Sequence, residues 1–219
     1  MGHDVSDVNQ IPVLEPVQEL EIPNKIIAFN QRGRAQNVKE TGLHFFVNDT
    51  QFRSVLQQPN KFLEPFSPFP VILTPDISLL EEMPEWLRIQ RTHLSRSIGV
   101  YYQLRQFKVI PTLRWISISD LDFVLEGLQK HSVVAVGALG NYRDLKLRAI
   151  FEGGLNEIVD RLSPKAILVY GSIRPEFHQQ LDRRTRVIVH KTYMSEFAQI
   201  VKDPEFEEGD LFSKRSASL

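Results

Sequence analysis

At 219 residues with 42% hydrophobic content, the chain is sized for one globular domain with a sizeable core, so neither a staple nor a metal is needed to fold it. Its 26 basic and 27 acidic residues leave a net charge of −1, which excludes a whole-domain basic footprint for non-specific DNA binding. Cys 0 excludes disulfides, thiolate catalysis, zinc fingers and iron–sulfur clusters, and fits a reducing compartment.

No run of about 18 uncharged apolar residues is present, so no membrane-spanning helix is expected. Met1-Gly2-His3-Asp4 lacks the basic start and apolar stretch of a secretion signal. The expected location is cytoplasmic. Residues 1–22 read as an extended arm, because Pro12 and Pro16, with Pro23 just beyond, forbid a continuous helix. Residues 23–201 read as a single α/β domain. Residues 202–219 carry Asp203, Glu205, Glu207, Glu208 and Asp210 and read as an acidic mobile tail.

Apolar runs follow in chain order: Ile26–Phe29, His44–Val47, Val71–Thr74, Val109–Leu113, Val133–Val136, Ile167–Tyr170 and Val187–Val189. Most are continuous rather than alternating. Burial on both faces reads this way, as in parallel strands covered by helices. The connection from Asn30 to Gly42 is too polar for a firm helix. Asp49 and Asp76 each precede a helical pattern and are suited to cap it. Ser78 and Glu81 match a capping box, opening a long helix near Pro84 to Arg105 with an apolar stripe of Leu87, Leu94, Ile98 and Tyr101/Tyr102. Ser117–Asp122 is another helix start, leading into Phe123–Leu128. Asn141 and Asp144 precede a stripe of Leu145, Ile150, Phe151, Leu155, Ile158 and Leu162, which Ser163-Pro164 stops. Pro175 suits the first turn of a short helix ending near Leu181.

This β-α alternation predicts an irregular or incomplete parallel β/α barrel of about seven strands, with an open doubly wound sheet as the alternative. A complete barrel usually takes ~250 residues, more than this core has.

Several clusters in order are distinctive: His44-Phe-Phe-Val-Asn-Asp49, Gln51-Phe52-Arg53, Pro59, Leu73-Thr-Pro-Asp76, Met83-Pro84, Val109-Ile-Pro-Thr112, Arg114-Trp115, Ser132–Val136, Gly140 and Tyr170-Gly171. Their order resembles the domain-of-unknown-function family 4417 of bacteria, phages and plasmids, from about Pro23 to Gly171. Asn48 departs from the family pattern, where an acidic residue often precedes the aspartate; a paired-carboxylate site is weakened there. The resemblance implies a phage or mobile-element connection and no particular chemistry.

In parallel α/β folds, ligands sit outside the carboxyl ends of the strands. Asp49 and Asp76 follow neighbouring strands and are candidate catalytic carboxylates, or a cation site, beside the capping alternative. Arg114 and Trp115 suit a phosphate or carboxylate and a flat ring, respectively; the alternative is a buried tryptophan with the arginine paired to a nearby aspartate. Gly137 and Gly140 form a strand-to-helix turn whose amides can approach an anion, and Gly171 and Ser172 form a second. Neither turn is a triphosphate loop or a GxGxxG motif, and Ser172 lacks the Gly-x-Ser-x-Gly elbow. Lys191, ending the last run, is a further ligand-binding candidate. The remaining histidines show no convincing partner, and no metal site is expected. No cofactor is identified.

Arg88, Arg91 and Arg96 recur on the long helix and offer phosphates or an acidic protein a basic face. Three functions remain open: binding or acting on a phosphorylated or nucleotide-like ligand at the strand ends, binding a host protein, or processing nucleic acid. Whether the protein is an enzyme is left open.

Overall fold

Apolar runs buried on both faces favour parallel pairing. In the computed structural model, which describes residues 4–17 and 22–192, eight strands form two four-stranded parallel sheets. The first holds β1 (Lys25–Ala28), β2 (Thr41–His44), β3 (Ile72–Leu73) and β4 (Val109–Ile110) in that order. The second holds β5 (Thr112–Leu113), β6 (Val133–Gly137), β7 (Ala166–Tyr170) and β8 (Arg186–His190). Neither sheet reverses its order, so neither contains the switch point of a doubly wound sheet.

Val109–Leu113 is expected as one strand, and Pro111 divides it. Proline has no N–H to give a ladder. β4 pairs with β3 on one side of the break, and β5 pairs with β6 on the other. Thr74 fills the gap: its Oγ1 accepts from the Thr112 N–H at 2.9 Å, and its carbonyl accepts from the Thr112 hydroxyl at 2.8 Å.

β2 also departs from expectation. It ends at His44, where the apolar run His44–Val47 predicts its beginning. Phe45 and Phe46 are buried, but Val47 N–H bonds the Phe45 carbonyl, and the chain turns. An apolar run reports burial, and here burial continues past the last strand pairing.

The helices are α1 (Asp49–Gln57), α2 (Leu63–Phe66), α3 (Glu85–Gln103), α4 (Leu121–Val124), α5 (Leu145–Leu162) and α6 (Pro175–Asp182). Asn48, not Asp49, caps α1, accepting from Thr50 N–H at 3.0 Å. The Ser78 capping box does not form. Ser78 donates to Asp49 instead, and α3 starts after Pro84. The buried face of α3 is also rotated from the expected stripe: Leu94 is exposed, while Ser95, Arg96, Ile98, Gly99 and Tyr102 are buried. Gly99 explains this. A Cβ there would lie 2.8 Å from Thr74 Cγ2, so α3 approaches the sheet more closely than a larger residue allows. α4 stops short of Leu128, and Gly127 beyond it takes φ +69°. α5 agrees with its start and stop signals: Asp144 accepts from Leu147 N–H at 2.8 Å, and Ser163 closes the helix at φ 45° before Pro164. Proline opens α6, as expected.

The core has three clusters. One packs β6 and β7 against α5 and α6 through Val134, Val136, Leu155 and Ile167. A second, rich in phenylalanine, packs β2 against α1 and α3. The third takes Leu73 and Ile110 from the first sheet and Ala135, Leu168 and Tyr170 from the second.

Within the segment expected as an arm, residues 4–17 turn back on themselves and pack against the domain. Val5 bridges Pro12 antiparallel, and Ile11, Leu14 and Val17 are buried. Glu126 holds it, accepting from the Ser6 hydroxyl, the Asn9 N–H and the Asn9 side-chain amide. Glu126→Ala is expected to lower stability by about 1–3 kcal/mol, because it leaves these donors unpaired. Hydrogen exchange should speed up in residues 4–17 before it does in β6 or β7. Uniform exchange across the chain would refute the clasp. The expected acidic tail lies outside the described residues.

Candidate functional site

One cavity of about 270 Å³ opens where the carboxyl ends of β3, β5 and β6 meet. β5 delivers Leu113, Arg114 and Trp115; the loop after β3 delivers Asp76, Leu79 and Glu81. Gly137 ends β6, and Asn141, Lys146 and Leu147 come from the connection into α5 and its first turn. Apolar walls with a few polar groups are the usual make-up of a small-molecule site.

Asp76 sits at the floor with 8% of its surface exposed. Its Oδ2 accepts from Arg114 Nη1 at 2.9 Å. Its Oδ1 is buried and has no hydrogen-bond partner among the described residues. Burial raises the carboxyl's pKa; Arg114 opposes that, and the nearby Asp49 adds to it. Buried acceptors in folded proteins are nearly always paired, and this oxygen lacks a protein partner among the described residues.

Arg114 is 42% exposed, and among the described residues its guanidinium bonds only Asp76. Trp115 is half-buried. Its ring stacks on Phe151 at 5.7 Å, and its indole N–H donates to the Ile150 carbonyl at 3.1 Å. The indole is therefore a fixed wall, not a donor. At the mouth, Lys146 and Glu81 form an exposed ion pair at 3.1 Å. Such pairs are worth little, so this one is readily exchanged for a ligand contact.

The structure brings together Asp76, Arg114, Trp115 and Gly137 among the residues proposed from sequence. A side chain at Gly137 would meet Phe46 at 3.1 Å, so glycine keeps this wall open. Asp49 does not line the cavity. Its carboxylate accepts from the Ser78 N–H and hydroxyl and from Arg91 at 3.3 Å, pinning the loop that carries Leu79 and Glu81. Gly140, Gly171, Ser172 and Lys191 are not among the lining residues. Gly140 and Gly171 take φ +83° and +117°, which gives them turn-making reasons. Glu81, Asn141 and Lys146 are the polar lining residues that the sequence did not nominate. The only cue was their position just after strand ends already singled out.

The basic face expected on α3 is not an open surface. Arg88 bonds Asp120 and the Met83 carbonyl, and Arg91 bonds Asp49 and the Ser78 carbonyl. Arg96 is 1% exposed and donates to the Val124 carbonyl at 2.8 Å; burial lowers its pKa to about 9. Its cationic spacing was visible, but the buried side of the helix was not.

Two histidines also have roles that the sequence concealed. His44 is buried at the end of β2, its Nδ1 accepting from Phe46 N–H at 3.1 Å, with its ring 4.3 Å from that of Tyr170. Burial and the neighbouring His190 lower its pKa to about 3. His190 is buried at the end of β8, with its pKa lowered by burial. Among the described residues, no group of three or more His, Cys, Asp or Glu is placed to hold a metal ion, and no helix is long and apolar enough to cross a membrane.

These features define a parallel α/β protein with a small cavity at its strand ends. The family described as Domain of unknown function (DUF4417) matches residues 3–191, and the chain belongs to that family. It is similar to the Gene 1 protein of Mycobacterium phage L5, with 32% identity over 176 residues, 80% of this chain and 76% of that protein. It is likewise similar to the Gene 1 protein of Mycobacterium phage D29, with 31% identity over 171 residues, 77% of this chain. That match spans 63% of the D29 protein's length, less than two thirds. No solved structure matches the chain.

Proposed function

We propose that this phage-related domain binds a small phosphorylated or nucleotide-like molecule in the cavity, with its ring system at the floor and its charged end toward Lys146. The observation that carries this reading is the meeting of a buried carboxylate and its guanidinium partner, Asp76 and Arg114, with the apolar walls Leu79, Leu113 and Trp115 in one cavity at the strand ends. We read the two sheets as halves of one incomplete barrel of about seven strand positions, with β4 and β5 a single strand handed over at Pro111. The sequential strand order and the cluster shared between the sheets support this. Barrels carry ligands at this end.

The test is an NMR titration with nucleosides and nucleotides. The chain has 2 tryptophans, so the indole N–H signals report separately on the cavity wall (Trp115) and on exposed Trp86. Saturable movement of the Trp115 signal, with Trp86 still, is the expected result. No saturable shift with any of these compounds up to about 10 mM overturns the reading.

A second reading is a protein partner laid over the mouth. Leu139, which lines the cavity, is exposed, as are Leu80 on the loop after β3, Leu145 at the start of α5 and Trp86 at the start of α3. Exposed apolar groups that form a contiguous patch mark interaction sites. Leu145→Glu would then abolish capture of the partner while leaving nucleotide titrations unchanged.

A further inference from the structure

We infer that the face formed by the amino ends of the strands, opposite the cavity, is a basic surface that holds the phosphate backbone of duplex nucleic acid without reading its sequence. It is independent of the nucleotide reading above, which concerns the other end of the sheets.

The net charge of −1 conceals a separation of charge along the strand direction. The strand pairings are all parallel, so the strands of each sheet begin at one end. β4 runs on into β5 through Pro111, so the two sheets share that end. An exposed cation stands at or shortly before most of the starts. Lys25 opens β1, Lys39 precedes β2, Lys108 precedes β4, Lys130 precedes β6, Lys165 precedes β7 and Arg186 opens β8.

The starts in the second sheet are tied together. The His131 N–H donates to the Leu162 carbonyl at 3.0 Å, and the Thr185 hydroxyl donates to the Pro164 carbonyl at 2.6 Å. Ala166 pairs in register with Val133 on one side and Arg186 on the other. Adjacent strands lie about 4.8 Å apart, so Lys130, Lys165 and Arg186 form one cationic row, with exposed Arg183 beside it. In the first sheet, Lys25 pairs with Thr41, just past Lys39.

Helix dipoles account for part of this charge, because cations favour helix C-termini. Lys108 follows α3, and Lys165 follows α5. That reason does not reach Lys25 or Lys39, which precede every α-helix among the described residues, nor Lys130, which lies well past the single turn of α4. No ion pair among the described residues engages Lys25, Lys39, Lys130 or Lys165. Of the nearby acids, Glu126 holds the arm, Asp160 is taken by Arg184, and Asp182 accepts the Val187 N–H; Glu15 and Glu40 are left exposed.

The face offers charge without rings. No Trp, Tyr or Phe is exposed on these segments, and the exposed Trp86 begins α3 at the opposite end. Membrane surfaces are gripped through aromatic anchors, and single strands through stacking platforms. A row of cations alone fits the duplex backbone, which presents a phosphate every ~1.7 Å of axis whatever its sequence.

The experiment is fluorescence anisotropy of the full chain with a labelled mixed-sequence duplex DNA, from about 25 to 200 mM salt. The expected result is saturable binding whose log affinity falls with log salt at a slope of about −4, equal for a second duplex of unrelated sequence. Lys130→Gln with Lys165→Gln should bring the slope to about −2 and weaken binding at low salt by at least about tenfold. Arg53→Gln with Arg143→Gln removes the same charge from exposed positions away from this face and should leave the slope unchanged. If the first pair fails to fold, Lys25→Gln with Lys39→Gln makes the same test. No saturable binding at the lowest salt overturns the inference, as does equal weakening by the lysine and arginine pairs. Binding to phosphatidylserine vesicles or to polyglutamate in place of DNA also overturns it, in favour of a membrane or an acidic protein. The Trp115 titration with nucleotides is unaffected by any of these outcomes.

Discussion

Gly154→Ala is expected to destabilise the protein by about 2 kcal/mol, against the usual direction for this substitution in a helix. Inside α5, alanine would ordinarily gain about 1 kcal/mol over glycine through backbone entropy. Here the new Cβ would lie 2.2 Å from Trp115 Nε1 and 2.4 Å from its Cε2. No rotamer of alanine avoids that, because a Cβ has no freedom. The indole must move, breaking its bond to the Ile150 carbonyl and its stacking on Phe151. Overpacking costs about 1–3 kcal/mol, and a broken, partly buried hydrogen bond adds up to about 1 kcal/mol, so the steric terms outweigh the entropic gain. Gly153 is the internal control. A Cβ there meets only Ile118 Cδ1, at 3.3 Å, the far end of a flexible side chain. Gly153→Ala should therefore be neutral or stabilising by up to about 1 kcal/mol. Urea unfolding curves decide the matter. If the two variants have the same midpoint, the close approach of α5 to Trp115 is not as described. Gly154→Ala should also shift the Trp115 indole signal without ligand, because the cavity wall has moved.

Stability is expected to fall as the solution is acidified below about pH 6.5, where histidines in the unfolded chain begin to take up protons. In the folded protein the pKa of His44 is lowered to about 3, so its ring stays neutral across this range. The stability it contributes is fully present above pH 6.5 and is lost as the pH falls toward 3. The slope is about 1.4 kcal/mol per pH unit for one proton, or about 2 kcal/mol lost by pH 5. His190 is displaced in the same direction by burial and adds to the slope. His44 cannot simply accept a proton in place. Its Nδ1 already accepts the Phe46 N–H, and its ring is enclosed by Phe46 and Tyr170. Denaturant melts at pH 7.5, 6.5, 5.5 and 5.0 give the slope directly. His44→Asn retains an acceptor and has no titrating ring, so its stability should vary with about one proton fewer. If His44→Asn showed the same slope as the unaltered protein, His44 would not be the group responsible.

Much of the architecture was legible because local rules carry it. Asp144 and Ser163-Pro164 bound α5, and Pro175 opens α6, since caps and proline act within a few residues. The apolar runs marked the strands because burial on both faces leaves no polar alternation. Errors arose where distant residues competed for a local signal. Ser78 reads as a cap, but Asp49 recruits its hydroxyl from 29 positions away in the sequence. Arg88, Arg91 and Arg96 read as a basic face, yet carbonyls and carboxylates from other elements take up their donors.

The site divides in the same way. Asp76, Arg114, Trp115 and Gly137 stand immediately after or at strand ends, so the parallel α/β pattern was enough to nominate them. Glu81, Asn141 and Lys146 were not nominated, because a side chain's access to a cavity depends on where its loop is folded. By itself the sequence determined the parallel α/β class, the bounds of α5 and α6 and the set of strand-end residues, all properties of neighbours along the chain. Only the tertiary structure decided which of those residues share a cavity, that the buried Asp76 Oδ1 has no partner among the described residues, and which face of α3 is inside. Burial and partnership belong to the packing of segments far apart in sequence, and no local pattern encodes them.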